Sequence, residues 1–130
     1  MQLLGLKWGN STSPVKETRL RELIAQQDAG GGWAQTPFLA PDAYATGQVL
    51  YALHELGLPS TAAAYQRGVE YLLQTQHEDG SWYVKSRAMK IQPYFESGFP
   101  HGHDQWISTA ATAWAAIALS YSAPERTVNK

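Results

Sequence analysis

The sequence predicts an all-α domain of two helical hairpins, with a long loop inserted into the second. Three observations carry this expectation. First, Leu23-Ile24-x-x-Gln27-Asp-Ala-Gly-Gly31-Gly-Trp33 matches Leu72-Leu73-x-x-Gln76-His-Glu-Asp-Gly80-Ser-Trp82 at a constant offset of 49, the kind of self-similarity that marks repeated helical units. Second, Thr46-Gly-Gln-Val-Leu-Tyr-Ala-Leu53 resembles Thr112-Ala-Trp-Ala-Ala-Ile-Ala-Leu119 at an offset of 66, so the second unit carries about 17 extra residues between its tryptophan and its second helix. Third, charge alternates. Lys16, Glu17, Arg19, Arg21 and Glu22 precede the first motif and Arg67 and Glu70 the second, whereas stretches 43–53 and 105–123 carry none. A helix without a charged face is surrounded on most sides, so the order reads outer, inner, outer, inner.

Each element has its own signals. Ser13-Pro14 reads as a cap followed by a first-turn proline, with Glu17 near the positive helix end. Leu20, Leu23, Ile24 and Gln27 then mark one face. Pro41-Asp42 opens the second helix, and Gly57 with Pro59 closes it. Ser60 is expected to cap a third helix with the stripe Tyr65, Val69, Leu72, Leu73 and Gln76. A fourth is expected from Asp104 or Gln105 to about Tyr121. The first repeat thus spans about 14–57 and the second about 60–122, with the loop insert at 83–105.

The whole chain narrows the function classes. Its 130 residues suit one domain, and 44% apolar residues supply a core. Ten basic and eleven acidic residues leave a net charge of -1, which gives no electrostatic footprint for nucleic acid or an anionic membrane. No apolar run approaches a membrane span. The absence of cysteine excludes disulfides, thiolate metal sites and a cysteine nucleophile. Leu3, Leu4, Leu6 and Trp8 read as the tail of a preceding helix rather than as a signal peptide, so the expectation is part of a longer protein. The sequence says nothing about the compartment.

A physical sense can be given to the repeated motif. A glutamine ending a helix has both donor and acceptor for orphan backbone groups, a glycine permits the left-handed turn beyond it, and a tryptophan offers a large flat face to seal the hairpin end. Arg67-Gly68-x-x-Tyr71-Leu72-x-x-x-Gln76-x-x-x-Gly80-Ser81-Trp82 resembles the glutamine–tryptophan motif of the prenyltransferase and squalene-cyclase repeat superfamily. The first copy keeps Leu23, Gln27, Gly31 and Trp33 without the basic, small and aromatic lead. The resemblance implies two hairpins of an incomplete α/α toroid, in which Gln27, Trp33, Gln76 and Trp82 staple outer helices to the next hairpin. Repeats bury their cores through neighbours, so a two-hairpin layer is expected to expose apolar edges. Its expected partner is the remainder of a longer chain or a second copy, as a homodimer.

The chemistry of that superfamily is not carried over. Its cyclases use an acid-rich Asp-x-Asp-Asp type of motif, which this sequence lacks; Asp104 is the nearest feature and reads as a helix cap or a charge favoured by the helix dipole. Its protein prenyltransferases and thioester domains need cysteine. No cofactor is implied. In the insert, His101-x-His103-Asp104 has metal-ligand residue types, yet no fourth ligand accompanies them, and an ordered polar loop is the expectation. Tyr94, Phe95, Phe99, Trp106 and Trp114 either line a pocket for an apolar ligand or cover the open end of the layer, an ambiguity shared by Tyr44, Tyr51 and Tyr121. The leading expectation is a non-catalytic repeat module that supports helix packing. The alternative is a domain binding a prenyl or triterpene-like molecule.

Overall fold

The computed structural model describes residues 13–87 and 96–122. Within them lie α1 (Ser13–Ala25), α2 (Ala43–Glu55), α3 (Ala63–Thr75) and α4 (Gln105–Ser120), the last preceded by a 3-10 turn over Gly102–Asp104. Among the described residues there is no strand, only an isolated bridge between Trp33 and Asp42. The expected fold class is what the structure shows: two hairpins, each an outer and an inner helix. The reading of Met1 to Trp8 lies outside the described residues.

Helix α1 exposes Glu17, Arg19, Arg21 and Glu22, with Arg19 paired to Glu22 at 3.0 Å, and half-buries Leu20, Leu23 and Ile24 against the core. Helix α2 starts at Asp42, whose carboxylate accepts from the Ala45 N–H at 2.8 Å and so satisfies one orphan donor. It ends with Gly57 at φ 93°, Gly57 N–H bonded to His54 O and Leu58 N–H to Leu53 O. This pair of backward bonds with a left-handed glycine ties off two of the last carbonyls.

Helix α3 departs from expectation at its start. Ala62, not Ser60, holds the cap position and offers no side-chain bond. The Ser60 carbonyl instead accepts from the Gln66 side chain, because a turn in which Ala62 N–H bonds Pro59 O carries the chain onward before the helix begins. Of the expected stripe, Tyr65, Val69 and Leu72 are buried, while Leu73 is 57% exposed. Gly68 takes a place on the buried face instead: a Cβ there would stand 2.8 Å from Leu50 Cδ2 and 3.0 Å from Trp33 Cζ3.

The two inner helices make the closest contact in the fold. A Cβ on Gly47 of α2 would lie 2.7 Å from the Trp114 main-chain carbon of α4, so the absent side chain lets the backbones meet. Tyr65 of α3 reaches across to donate to the Ala118 carbonyl at 2.7 Å. Burial at this joint holds its phenol up at about 12. Leu50, Leu53 and Leu72 are fully buried, each contributing roughly 1.5–3 kcal/mol from apolar burial. Helix α4 buries one face only, that of Gln105, Ser108, Ala111, Ala115 and Ala118. Its opposite face exposes Trp106 (55%), Ala113, Ala116 and Ile117 (39%). The uncharged inner helix is therefore not enclosed by the described residues, among which no further helix lies beyond it.

Candidate functional site

The repeated motif builds two junctions of nearly identical geometry. Gln27 Nε2 donates to Gly31 O at 2.8 Å, and Gln76 Nε2 to Gly80 O at 2.9 Å. The indole N–H of Trp33 donates to Leu23 O and that of Trp82 to Leu72 O, each at 2.8 Å. Asp28 N–H bonds Gly32 O and His77 N–H bonds Ser81 O, each at 2.8 Å. Gly31 and Gly80 sit at φ 97° and 87°, where glycine alone is unstrained. The tryptophan thus acts by hydrogen-bonding a carbonyl near the end of the outer helix, with its ring buried beneath.

Each junction also has a threonine that the motif does not advertise. The main-chain N–H of Trp33 donates to Thr46 Oγ1 at 2.9 Å, and that of Trp82 to Thr112 Oγ1 at 3.0 Å. Thr46 lies in the first turn of α2 and Thr112 midway along α4, and each hydroxyl satisfies a donor that the loop leaves open. The only signal in the sequence was their shared place at the head of the downstream match.

The junctions differ in what lies outside them. Gln27 Nε2 makes a second bond, to Ala64 O in the first turn of α3, at 2.9 Å. Arg67 adds a bond to Asp28 O at 3.3 Å, and a Cβ on Gly31 would stand 2.3 Å from Arg67 O. Tyr71 closes over Gly32; burial first, then the carboxylates Asp42 and Asp28, holds its phenol up at about 12. Both acceptors of Gln27 are carbonyls, which fixes the amide nitrogen toward them and leaves Oε1 buried without a partner. In the second junction, Gln76 and Gly80 are exposed, and a Cβ on Gly80 would meet only Gln76 Nε2, at 3.9 Å. Gln76 bonds its own loop alone among the described residues.

The insert is held at a neck. Asp104 occupies the position before α4, where the helix dipole favours its charge, but it makes no capping bond, contrary to the cap expected of it. Its carboxylate instead accepts from Ser86 N–H at 2.9 Å and Tyr83 O–H at 2.7 Å. Those bonds, the backbone one foremost, hold the Asp104 carboxyl below its ordinary value and push the Tyr83 phenol up. Ser108 Oγ accepts from Val84 N–H at 3.0 Å, and Gln105 Nε2 donates to Glu96 and to Gly102 O.

His101, at φ 87°, points Nε2 at Ser81 Oγ, 2.7 Å away. The hydroxyl must donate to Asp79 Oδ1 at 2.6 Å, because a carboxylate only accepts. His101 Nε2 therefore carries a proton and donates to the serine. A base activating a nucleophile needs the reverse polarity and an acid partner on its own far nitrogen, so this trio acts as a latch. The Ser81 hydroxyl, then its N–H, holds the Asp79 carboxyl below its ordinary value.

The remaining expected residues that the structure describes are divided between the inner helices and the insert. Trp114 packs with Tyr51, ring centroids 5.3 Å apart, and Tyr51 continues to Tyr121, which stacks on His54 at 3.6 Å. Phe99 is half-buried in the insert, His103 and Trp106 are exposed, and Tyr94 and Phe95 lie outside the described residues. Among the described residues no set of three or more ligating side chains is placed to hold a metal, and no helix is long and apolar enough to cross a membrane. A groove of about 580 Å³ lies between α1 and α2, lined by Leu23, Gln26, Gln35, Tyr44, Gln48 and Val49 among others, so that Tyr44 is the expected aromatic that it contains. The family described as squalene-hopene cyclase C-terminal domain matches residues 1–129 of the chain. No curated protein and no solved structure matches it.

Proposed function

The chain belongs to the squalene-hopene cyclase C-terminal domain family, and we propose that within it this chain serves as a packing module without catalysis of its own. The observation that carries this reading is the bond from Gln27 to Ala64 O, which ties one hairpin to the next outer helix, while its counterpart Gln76 bonds, among the described residues, its own loop alone. The polar groups of the motif are spent on backbone carbonyls, and the Ser81–His101–Asp79 latch has the wrong polarity for a nucleophile. The exposed face of α4, with Ala113, Ala116 and Ile117, supplies the apolar surface along which another helix would lie. Light scattering over a concentration series, paired with binding of an apolar fluorescent dye, tests this. The expected result is either reversible association or a monomer that binds the dye. A folded monomer that binds none would count against the module.

A second reading is favoured by the aromatic wall of Tyr51, Trp114, Tyr121 and His54 along the inner helices. Such a wall suits a prenyl or triterpene-like molecule. Thermal shift with squalene and with isoprenoid diphosphates tests it, and no stabilisation by either at concentrations well above micromolar would sink it.

A further inference from the structure

We infer that Phe38 is a docking knob for a second copy of this chain, which takes it into the groove between α1 and α2 and gives its own Phe38 in return. This goes beyond the packing module, because it uses the first hairpin and its connecting loop rather than α4. Phe38 is 96% exposed, more than any other large hydrophobic side chain among the described residues. It stands within Pro37-Phe38-Leu39-Ala40-Pro41, five apolar residues in a row that are each exposed or half-buried. Such a run at a surface is a fault unless it serves a contact. The loop that carries it is braced at root and tip. Asp42 N–H bonds Trp33 O at 3.1 Å, and Gln35 Nε2 donates to Asp42 Oδ2 at 2.6 Å. Leu39 N–H bonds Thr36 O at 3.2 Å, closing a turn with Pro37 at the position where its fixed φ suits. Little ordering of the loop is therefore left to be done on binding.

The groove supplies the matching shape and chemistry. Ala34 and Gln35, at the root of the same loop, line it, so knob and groove lie side by side on one hairpin. A twofold axis between two copies then sets each Phe38 against the other's groove and closes the pair. The groove, at about 580 Å³, is large enough for a ring together with its flanking residues. Half-buried Tyr44 offers a ring for an aromatic pair, beside the apolar walls of Leu23 and Val49. The amides of Gln26 and Gln48 make no hydrogen bond among the described residues, and neither do the N–H and C=O of Phe38. Each amide has a donor and an acceptor for that main chain. Charge does not oppose the pairing of identical surfaces, because Arg19 and Glu22 on the groove wall neutralise each other at 3.0 Å. Two rings bury about 150–250 Å² each. With the walls they cover, the contact stays below about 1,200 Å², the range of transient pairs. The dimer is weak and reversible.

Photocrosslinking of the full chain tests this, with Phe38 replaced by its photoreactive benzoyl derivative and labelled and unlabelled copies mixed to identify crosslinks between chains. The expected crosslinks run between chains to Leu23, Tyr44 or Val49 and increase with concentration. Gln26→Trp, at an exposed position on the groove, is expected to cut their yield about threefold without shifting thermal unfolding. In sedimentation velocity the parent is expected to move faster above about 100 μM, and Phe38→Ser to remain monomeric. Crosslinks confined to one chain, crosslinks between chains at α4, or none at millimolar concentration overturn the proposal. Association that survives Phe38→Ser also overturns it, and leaves the packing module standing on α4. Phosphatidylcholine vesicles provide the last arm. Cosedimentation that depends on Phe38, without crosslinks between chains in the groove, assigns the knob to a lipid surface and overturns the second copy.

Discussion

The main-chain N–H of Trp33 ends on the hydroxyl of Thr46, 13 residues later, at 2.9 Å, inside the buried core. The same bond recurs between Trp82 and Thr112. Each locks the loop that carries the tryptophan onto the inner helix, and so fixes the angle between outer and inner helices.

Replacing Thr46 by valine keeps its shape and removes the acceptor. A buried N–H left unpaired costs about 1–3 kcal/mol, and the expected loss of stability falls in that range by urea denaturation. Thr46→Ser keeps the hydroxyl and is expected to lose less. Equal losses for both would place the effect in the methyl group.

Gly31 and Gly80 share a left-handed backbone, φ 97° and 87°, but differ in surroundings. Gly80→Ala is expected to cost about 1–2 kcal/mol from conformation alone. Gly31→Ala meets in addition the Arg67 carbonyl at 2.3 Å, an overpacking of a further 1–3 kcal/mol or so. Thermal unfolding of the two variants measures the difference directly.

The two glutamines are expected to differ in the same direction. Gln27→Ala removes two bonds, one of them to α3, and is expected to cost about 1–3 kcal/mol, less whatever is regained by losing the unpaired buried Oε1. Gln76→Ala, at an exposed loop, is expected to stay within about 0.5 kcal/mol. Should the two losses prove equal, the bond between hairpins contributes nothing.

Acidification is expected to open the neck of the insert. The Asp104 carboxyl is held below its ordinary value of 3.8 by Ser86 N–H and Tyr83 O–H. A depressed folded value means that these bonds stabilise fully above the ordinary value and fade as pH falls through the lowered one. Amide resonances of Ser86 should shift in that acidic window, and Asp104→Asn should abolish the step. Titration of Ser86 unchanged by the substitution would assign the step to another group.

Much of the fold was legible because its signals are local. Helical periodicity, the Asp42 cap and the Gly57 terminator act within a few residues, and Leu20, Leu23, Ile24, Tyr65 and Leu72 marked core-facing sides. Ser60 and Asp104 show where such reasoning stops. Both are good caps by type, yet the turn after Pro59 moved one away from the helix start, and the insert claimed the other's carboxylate. Leu73 fits a stripe by spacing and sits outside it, since α3 turns Gly68 rather than a wider apolar arc toward Trp33 and Leu50.

The sequence by itself determined two outer–inner hairpins, the Gln–Gly–Trp turn that ends each outer helix, and the length of the insert. These depend on residues close in the chain, so spacing encodes them. Only the tertiary structure decided that Gln27 finds Ala64 while Gln76 faces outward, that Thr46 and Thr112 hold the tryptophan loops, and that His101 latches onto Ser81. The same motif has different partners because a hydrogen bond across 37 residues depends on where a neighbouring helix lies. The first hairpin has such a neighbour in α3. The second, among the described residues, has none.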